Sequence, residues 1–288
     1  MKKKFALVLI IIFIPVIALS CALLESLKDP HTFTKTVVDA ASPIVEASKP
    51  IQNEEEYYIG REVAAVILSN YKLYRNKQLE KYLNLICMTL VLNSDVPESY
   101  NGYHVAILDT DEINAFATPG GHVLVTKGLL ACTDSEDALA GVIAHELGHI
   151  QLKHGIGAIK ANRITGAVVE SSASITMGSG KNENLKFLED ASKEIVTTLV
   201  NSGYSKTQEY DADRFAVNLM AKSGYDPNAM TEMLKIMGEK QKNDHRGFGK
   251  THPSAASRIR YVEREARKFS GNYNRSARLE RYAENKLK

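Results

Sequence analysis

Apolar residues recur along this chain at two periods, and the switches between them mark out its elements. From Glu54 to Tyr74, the residues Tyr58, Val63, Val66, Ile67 and Tyr74 fall at helical spacing, and a second helix fits Gln78 to Leu92, ending at Asn93-Ser94-Asp95. Tyr103 to Leu108 alternates as a strand does. Asn114 to Thr118 and His122 to Thr126 read as two more extended segments, joined by the turn signal Pro119-Gly120-Gly121. A short helix over Lys127 to Ala131 comes next. Thr133 or Asp134 can cap the helix after it, which runs from Ser135 to about His154 and carries Glu136 and Asp137 in its first turn.

From Gly155 to Tyr204 the composition changes to Ser, Thr and Ala with interrupting glycines. This stretch reads as a helical excursion with a flexible tip near Gly178 to Lys181. Helical spacing resumes over Ser205 to Ser223, then from Asp226-Pro227 to about Lys240, then from Ser254 to Phe269, with a loop over Asp244 to Gly249. Residues after Ser270 are charged and are expected to fray. Helices, a short sheet and more helices make an α+β domain, mostly helical. The expected organisation is an export segment over 1–21, a Pro-interrupted tether over 22–53, one domain over 54–270 and a charged tail over 271–288.

The start of the chain is a targeting signal rather than part of the fold. Met1-Lys2-Lys3-Lys4 is basic, Phe5 to Leu19 is almost unbroken apolar sequence, and Ala18-Leu19-Ser20-Cys21 follows. Three fates fit: lipidation of Cys21, with Ser20 before it as in bacterial lipoprotein signals; cleavage after Ser20; or retention as an uncleaved anchor. Lipidation is the preferred reading. All three export the remainder of the chain, because the lysines stay inside. The domain is therefore expected in the periplasm or at the cell surface, held to a membrane by its N-terminus.

The 288 residues carry a formal charge of +2, so nothing global points to nucleic acid. Cys87 and Cys132 lie in apolar helical patterns and read as buried free thiols, and no Cys-x-x-Cys occurs.

The chemistry concentrates in His145-Glu146-Leu147-Gly148-His149. Residues four apart on a helix face the same way, so His145 and His149 can bind one zinc ion, and Glu146 can take a proton from an attacking water. Gly148 lets another segment approach closely. Zinc needs a third protein ligand. A histidine six residues past His149 is absent, because Gly155 stands there, and His154 lies one residue early on another face of the helix. Glu170 lacks an acidic residue four positions on. Glu209 has one, Asp213, so Glu209 can meet the metal while Asp213 accepts a ring N–H from a ligand histidine. The plainer reading of the Glu209 and Asp213 pair is a solvated acidic face.

These stretches resemble the zinc metallopeptidase family of the CAAX prenyl endopeptidases and the membrane protease HtpX. The matching residues are Asn114 to Ala117 with Pro119-Gly120-Gly121, the His145 to His149 motif, Tyr204-Ser205-Lys206 through Glu209 to Asp213, and His252-Pro253 through Arg258. Lys206 departs from the family's usual Arg. No run of eighteen apolar residues lies between Gly155 and Tyr204, so the chain resembles the exported branch without membrane-spanning helices.

The resemblance implies a zincin-like fold with one Zn2+ per chain. It implies an edge strand over Asn114, Ala115, Phe116 and Ala117 that binds substrate. It also implies a site role for His252, as an oxyanion donor or a regulator of access, and for Arg258 at the substrate. His31, His104, His122, His154 and His245 have no partner pattern and read as surface or structural residues. Two functions follow: an endopeptidase for misfolded or misassembled envelope proteins, or an assembly factor that binds such clients and cuts rarely.

Overall fold

The computed structural model describes residues 48–157, 195–197, 203–240, 252, 255–271 and 273–286. Packing separates two units, residues 1–51 with 157–187 and residues 52–156 with 188–288, and every element named below belongs to the second. The export segment with Cys21, most of the tether, Glu170, the 178–181 tip, His31, His245 and the 244–249 loop lie outside the described residues.

In chain order the elements are α1 (Asn53–Asn70), α2 (Lys77–Leu92), β1 (His104–Leu108), β2 (Ala115–Thr118), β3 (His122–Thr126), α3 (Lys127–Leu130) and α4 (Glu136–Gln151). Then come α5 (Lys206–Lys222), α6 (Asn228–Lys240), α7 (Ala255–Ala266) and α8 (Ser276–Asn285). The described fold is mostly helical with one small sheet, as the periodicity implied. The sheet has the order β1-β3-β2, with β1 parallel and β2 antiparallel to β3.

Helix α4 lies at the centre. Residues 136 to 150 are all buried, the pattern of a helix enclosed on every side. It packs against α2, α5, α6, α8 and β2. Leu139, Ile143 and Leu147 fill the core it shares with Leu83 and Ile86 of α2 and Val217 and Met220 of α5. Its cap is Ser135, whose side chain accepts from the Ala138 N–H, rather than Thr133 or Asp134.

Two expectations from the sequence need correction. The first helix ends at Asn70, four residues before Tyr74, because Leu73 forms an antiparallel bridge with Leu108 and the Tyr74 N–H donates to Ile107 O at 2.8 Å. The charged tail does not fray over Ser276 to Asn285. It forms α8, whose Arg278 donates to the buried carboxylate of Asp137 at 3.0 Å and whose Arg281 donates to that of Glu136 at 2.9 Å. The two acidic residues in the first turn of α4 are buried and need partners, and the tail supplies them. Cys87 and Cys132 are free and buried. Burial pushes the Cys87 thiol up to about 12.

Candidate metal centre

His145 and His149 project from adjacent turns of α4, and α5 brings Glu209 against both. A capping box between Ser205 and Gln208 fixes the start of α5 at Lys206, three residues before Glu209. Close approach of the two helices depends on Gly148: a Cβ there would sit 3.2 Å from the Cα and O of Ala212.

His145 Nε2 lies 3.2 Å from His149 Nε2 and 3.6 Å from Glu209 Oε2, while His149 Nε2 lies 3.4 Å from the other oxygen, Glu209 Oε1. Ligand atoms set tetrahedrally about one zinc-sized ion lie roughly 3.3–3.6 Å from one another. The separations here are of that size, with each histidine nitrogen facing a different oxygen of the carboxylate. Glu209 Oε2 is buried and accepts no hydrogen bond from the protein, although Arg258 Nη1 lies 3.4 Å away, so it retains acceptor capacity that a metal ion can use. A divalent metal ion fits these residues. His252 joins the group, with one ligand atom of each of the four residues within 4.8 Å of the others. His252 Nδ1 donates to Glu209 Oε1 at 2.7 Å.

The outer nitrogens are also held. His145 Nδ1 lies 3.1 Å from Asp213 Oδ1. Arg258 is fully buried at 1% exposure and donates from Nε and Nη2 to the two oxygens of Asp213. The resemblance implied a place for Arg258 at the substrate; the guanidinium lies instead among the ligand side chains, paired with Asp213, whose buried charge needs a counter-ion, and with Nη1 3.4 Å from Glu209 Oε2. His154 is the residue that sequence reasoning missed. It is buried, and its Nδ1 lies 3.0 Å from His149 Nδ1. The reason is Lys153, which adopts the left-handed φ of 56° just past α4 and turns the chain back on itself. Its Nζ is bound 2.9 Å from Glu56 of α1. A lysine in place of the usual glycine at that position hid the turn. Tyr204 stacks on the His149 ring at 4.0 Å.

Charge follows from these contacts. Burial and the Arg258 charge disfavour a proton on His145, but bonds to Asp213 and Glu209 outweigh them and raise its pKa to about 9. Burial lowers His149 to about 3, so its ring is neutral and Nε2 keeps a lone pair. Burial raises the carboxyl of Glu146, against the opposing charges of His145 and His252. Burial would raise Glu209 as well, yet His252, His145 and His149 hold it well below the usual range. Asp213 is likewise held down against burial, by Arg258. A cation binding here displaces the His145 proton.

Strand β2 forms the edge of the sheet among the described residues. Asn114, Ala115, Phe116 and Ala117 are all buried, and Asn114 Oδ1 accepts from the Ala115 N–H. Ala117 and Pro119 share a small cavity with His149 and Tyr204, so β2 adjoins the metal-binding face of α4. Of the remaining histidines, His104 is exposed and His122 is partly buried, where it stacks on Tyr57 at 5.8 Å.

Two histidines one turn apart with a carboxylate between them, closed by a glutamate from a second helix, define a metallopeptidase of the zincin type. The sequence profile of Peptidase family M48 matches residues 77–266, which contain all of these groups, and the chain belongs to that family of zinc metallopeptidases. It is 27% identical to a beta-barrel assembly-enhancing protease of Yersinia pestis over 203 residues, 68% of this chain and 40% of that relative. It is 33% identical to the mitochondrial metalloendopeptidase OMA1 of Schizosaccharomyces pombe over 156 residues, 52% of this chain and 42% of the relative. It is also 24% identical to the metalloprotease YcaL of Escherichia coli over 248 residues, 85% of this chain and 93% of that protein. The chain thus spans well under two thirds of the first two relatives and nearly all of the third. No described helix is long and apolar enough to cross a membrane.

Proposed function

We propose that this protein is a zinc-dependent endopeptidase acting on misfolded or misassembled proteins of the cell envelope, to which it is exported and where lipidated Cys21 anchors it. The observation that carries the reading is the buried cluster of His145, His149 and Glu209 with Glu146 on the same helix as the two histidines. The names of the relatives support the substrate class, since one acts in β-barrel assembly. The basic and apolar start of the chain supports export.

Zinc bound by His145, His149 and Glu209 supplies Lewis acidity, which lowers the pKa of water to about 7 and polarises a carbonyl. The chain's own residues do the rest. Glu146 takes the proton of the attacking water and passes it to the leaving amine, a task its raised pKa suits. Asp213, clamped by Arg258, fixes the His145 ring, and His154 fixes that of His149. His252 donates to the developing oxyanion. An extended substrate segment adds to the outer edge of β2, along Asn114 to Ala117, by backbone hydrogen bonds.

The test is cleavage of a loosely folded protein such as casein by wild type and Glu146→Gln, with zinc measured in each preparation. Glu146→Gln is expected to keep its zinc and lose about 10²–10⁴-fold in rate. Cleavage at the wild-type rate sinks the role of Glu146. His149→Ala should lose the metal, and full zinc occupancy there would refute the ligand set. One observation favours the alternative, an assembly factor that binds clients and cuts rarely: His145, Glu146, His149 and Glu209 are all buried. Under that reading both proteins bind clients and neither cuts.

A further inference from the structure

Helix α1 precedes the region that matches the family profile, which begins at residue 77, yet it reaches the metal centre. Glu56, in its first turn, is 6% exposed, and its carboxylate accepts from Lys153 Nζ at 2.9 Å. Glu56 and Lys153 line one small cavity with His149, Tyr204, Ala117 and Pro119. The neighbours of Glu56 on α1 fix its position. Tyr57 stacks on His122 at 5.8 Å, and Gly60 lies so close to the turn between β2 and β3 that a Cβ there would fall 1.7 Å from Pro119 O. Packing of α1 on the sheet therefore sets where this carboxylate stands.

Lys153 is where that carboxylate acts. Among the described residues it is the one non-glycine with a left-handed φ, at 56°, a region that residues with a Cβ rarely enter. The turn at Lys153 sets the direction of His154, the next residue, whose Nδ1 then lies 3.0 Å from His149 Nδ1. A strained residue persists where its surroundings hold it. The Lys153 side chain is 47% exposed, so water can serve its ammonium in any backbone conformation. Glu56 is buried and needs a cation within reach, and that need ties Lys153 to this one.

We propose that Glu56 is a positioning residue for the metal centre, acting through the left-handed turn at Lys153, and then through His154, on the ring of His149. This rests on His149 being a metal ligand, as assigned under the proposed function. The metal centre of this chain then extends beyond the region of family likeness, because a helix that precedes that region sets the orientation of one ligand.

Full-length variants are compared with wild type by competition for zinc against a chelator, with circular dichroism and urea unfolding as checks on the fold. Lys153→Ala and Lys153→Gly both remove the ammonium and leave Glu56 unpaired, but only glycine enters the left-handed region freely. Glu56→Gln removes the charge and leaves the lysine, and a double variant combines Glu56→Gln with Lys153→Gly. Glu56→Gln and Lys153→Ala are expected to weaken zinc binding by about tenfold, the low end of the range for outer contacts to a metal ligand. Lys153→Gly and the double variant are expected to stay within about twofold of wild type, since glycine needs no contact to hold the turn. A general loss of stability cannot give that pattern, because the double variant lacks the same ion pair as Glu56→Gln. Glu56→Gln at wild-type affinity overturns the proposal and leaves the ligand set standing, and a double variant as weak as Glu56→Gln does the same. Equal affinities of Lys153→Ala and Lys153→Gly also overturn it, even if Glu56→Gln fails to fold. A wild type that binds no zinc overturns the proposal together with the ligand set.

Discussion

His154 holds His149: their Nδ1 atoms lie 3.0 Å apart in a buried contact, beside the Tyr204 ring stacked on His149. Burial lowers the pKa of both rings, so both are neutral and one N–H lies between them. With His149 as donor, its Nε2 lone pair faces His145 and Glu209. In that direction of the bond, His154, a residue outside the motif, is the acceptor that supports the metal-binding tautomer of His149. His154→Phe keeps the ring volume and removes the acceptor. It is expected to weaken metal affinity by about 10–100-fold with little change in fold, read by competition against a zinc chelator and by circular dichroism. Unchanged affinity would assign His154 to packing alone.

Arg258 and Asp213 form a buried pair with two parallel hydrogen bonds. Arg258→Ala strands the Asp213 carboxylate and is expected to cost about 3–5 kcal/mol in urea unfolding. Arg258→Lys restores charge but not the fork, so its stability should fall between that of Ala and wild type. If Arg258→Ala unfolds like wild type, the pair contributes nothing to stability.

Gly148 sits where α4 and α5 touch. Gly148→Ala brings a methyl group to 3.2 Å from Ala212 backbone and Phe215, tighter than ordinary contact. The expected cost is about 1–3 kcal/mol of stability, with a larger loss of metal affinity because Glu209 moves with α5. Thermal unfolding and zinc titration read the two effects separately. Metal binding at the wild-type level would show that α5 absorbs the methyl group without displacing Glu209.

At the far end of α4, the C-terminal helix pairs unequally with its two acidic partners. Asp137 is fully buried and the Arg278 side chain is partly buried at 14% exposure, whereas the Arg281 side chain is 52% exposed. Arg278→Ala is expected to cost about 1.5–3 kcal/mol, the range for hydrogen bonds to charged groups. Arg281→Ala should cost under about 1 kcal/mol, because solvent screens its charge. Equal losses in chemical denaturation would contradict this ordering.

The sequence by itself determined the elements and the ligand helix. Apolar spacing located α2, β1, β3, α5 and α7 nearly to the residue, and His145, His149, Glu209 and Asp213 could be read because an i, i+4 interval on a helix is also a direction in space. Such rules hold within one element. What they left open depends on contacts between elements. The resemblance puts Arg258 at the substrate, and only when α7 is laid against α5 does the buried charge of Asp213 take it. His154 reads as facing away until the left-handed turn at Lys153, held by Glu56 of a distant helix, brings it back over His149. Residues 276–285 read as a loose charged tail until the two carboxylates that begin α4 prove to be buried. In each case a buried charge or polar group needs a partner, and only tertiary structure decides which groups are buried and what lies within reach.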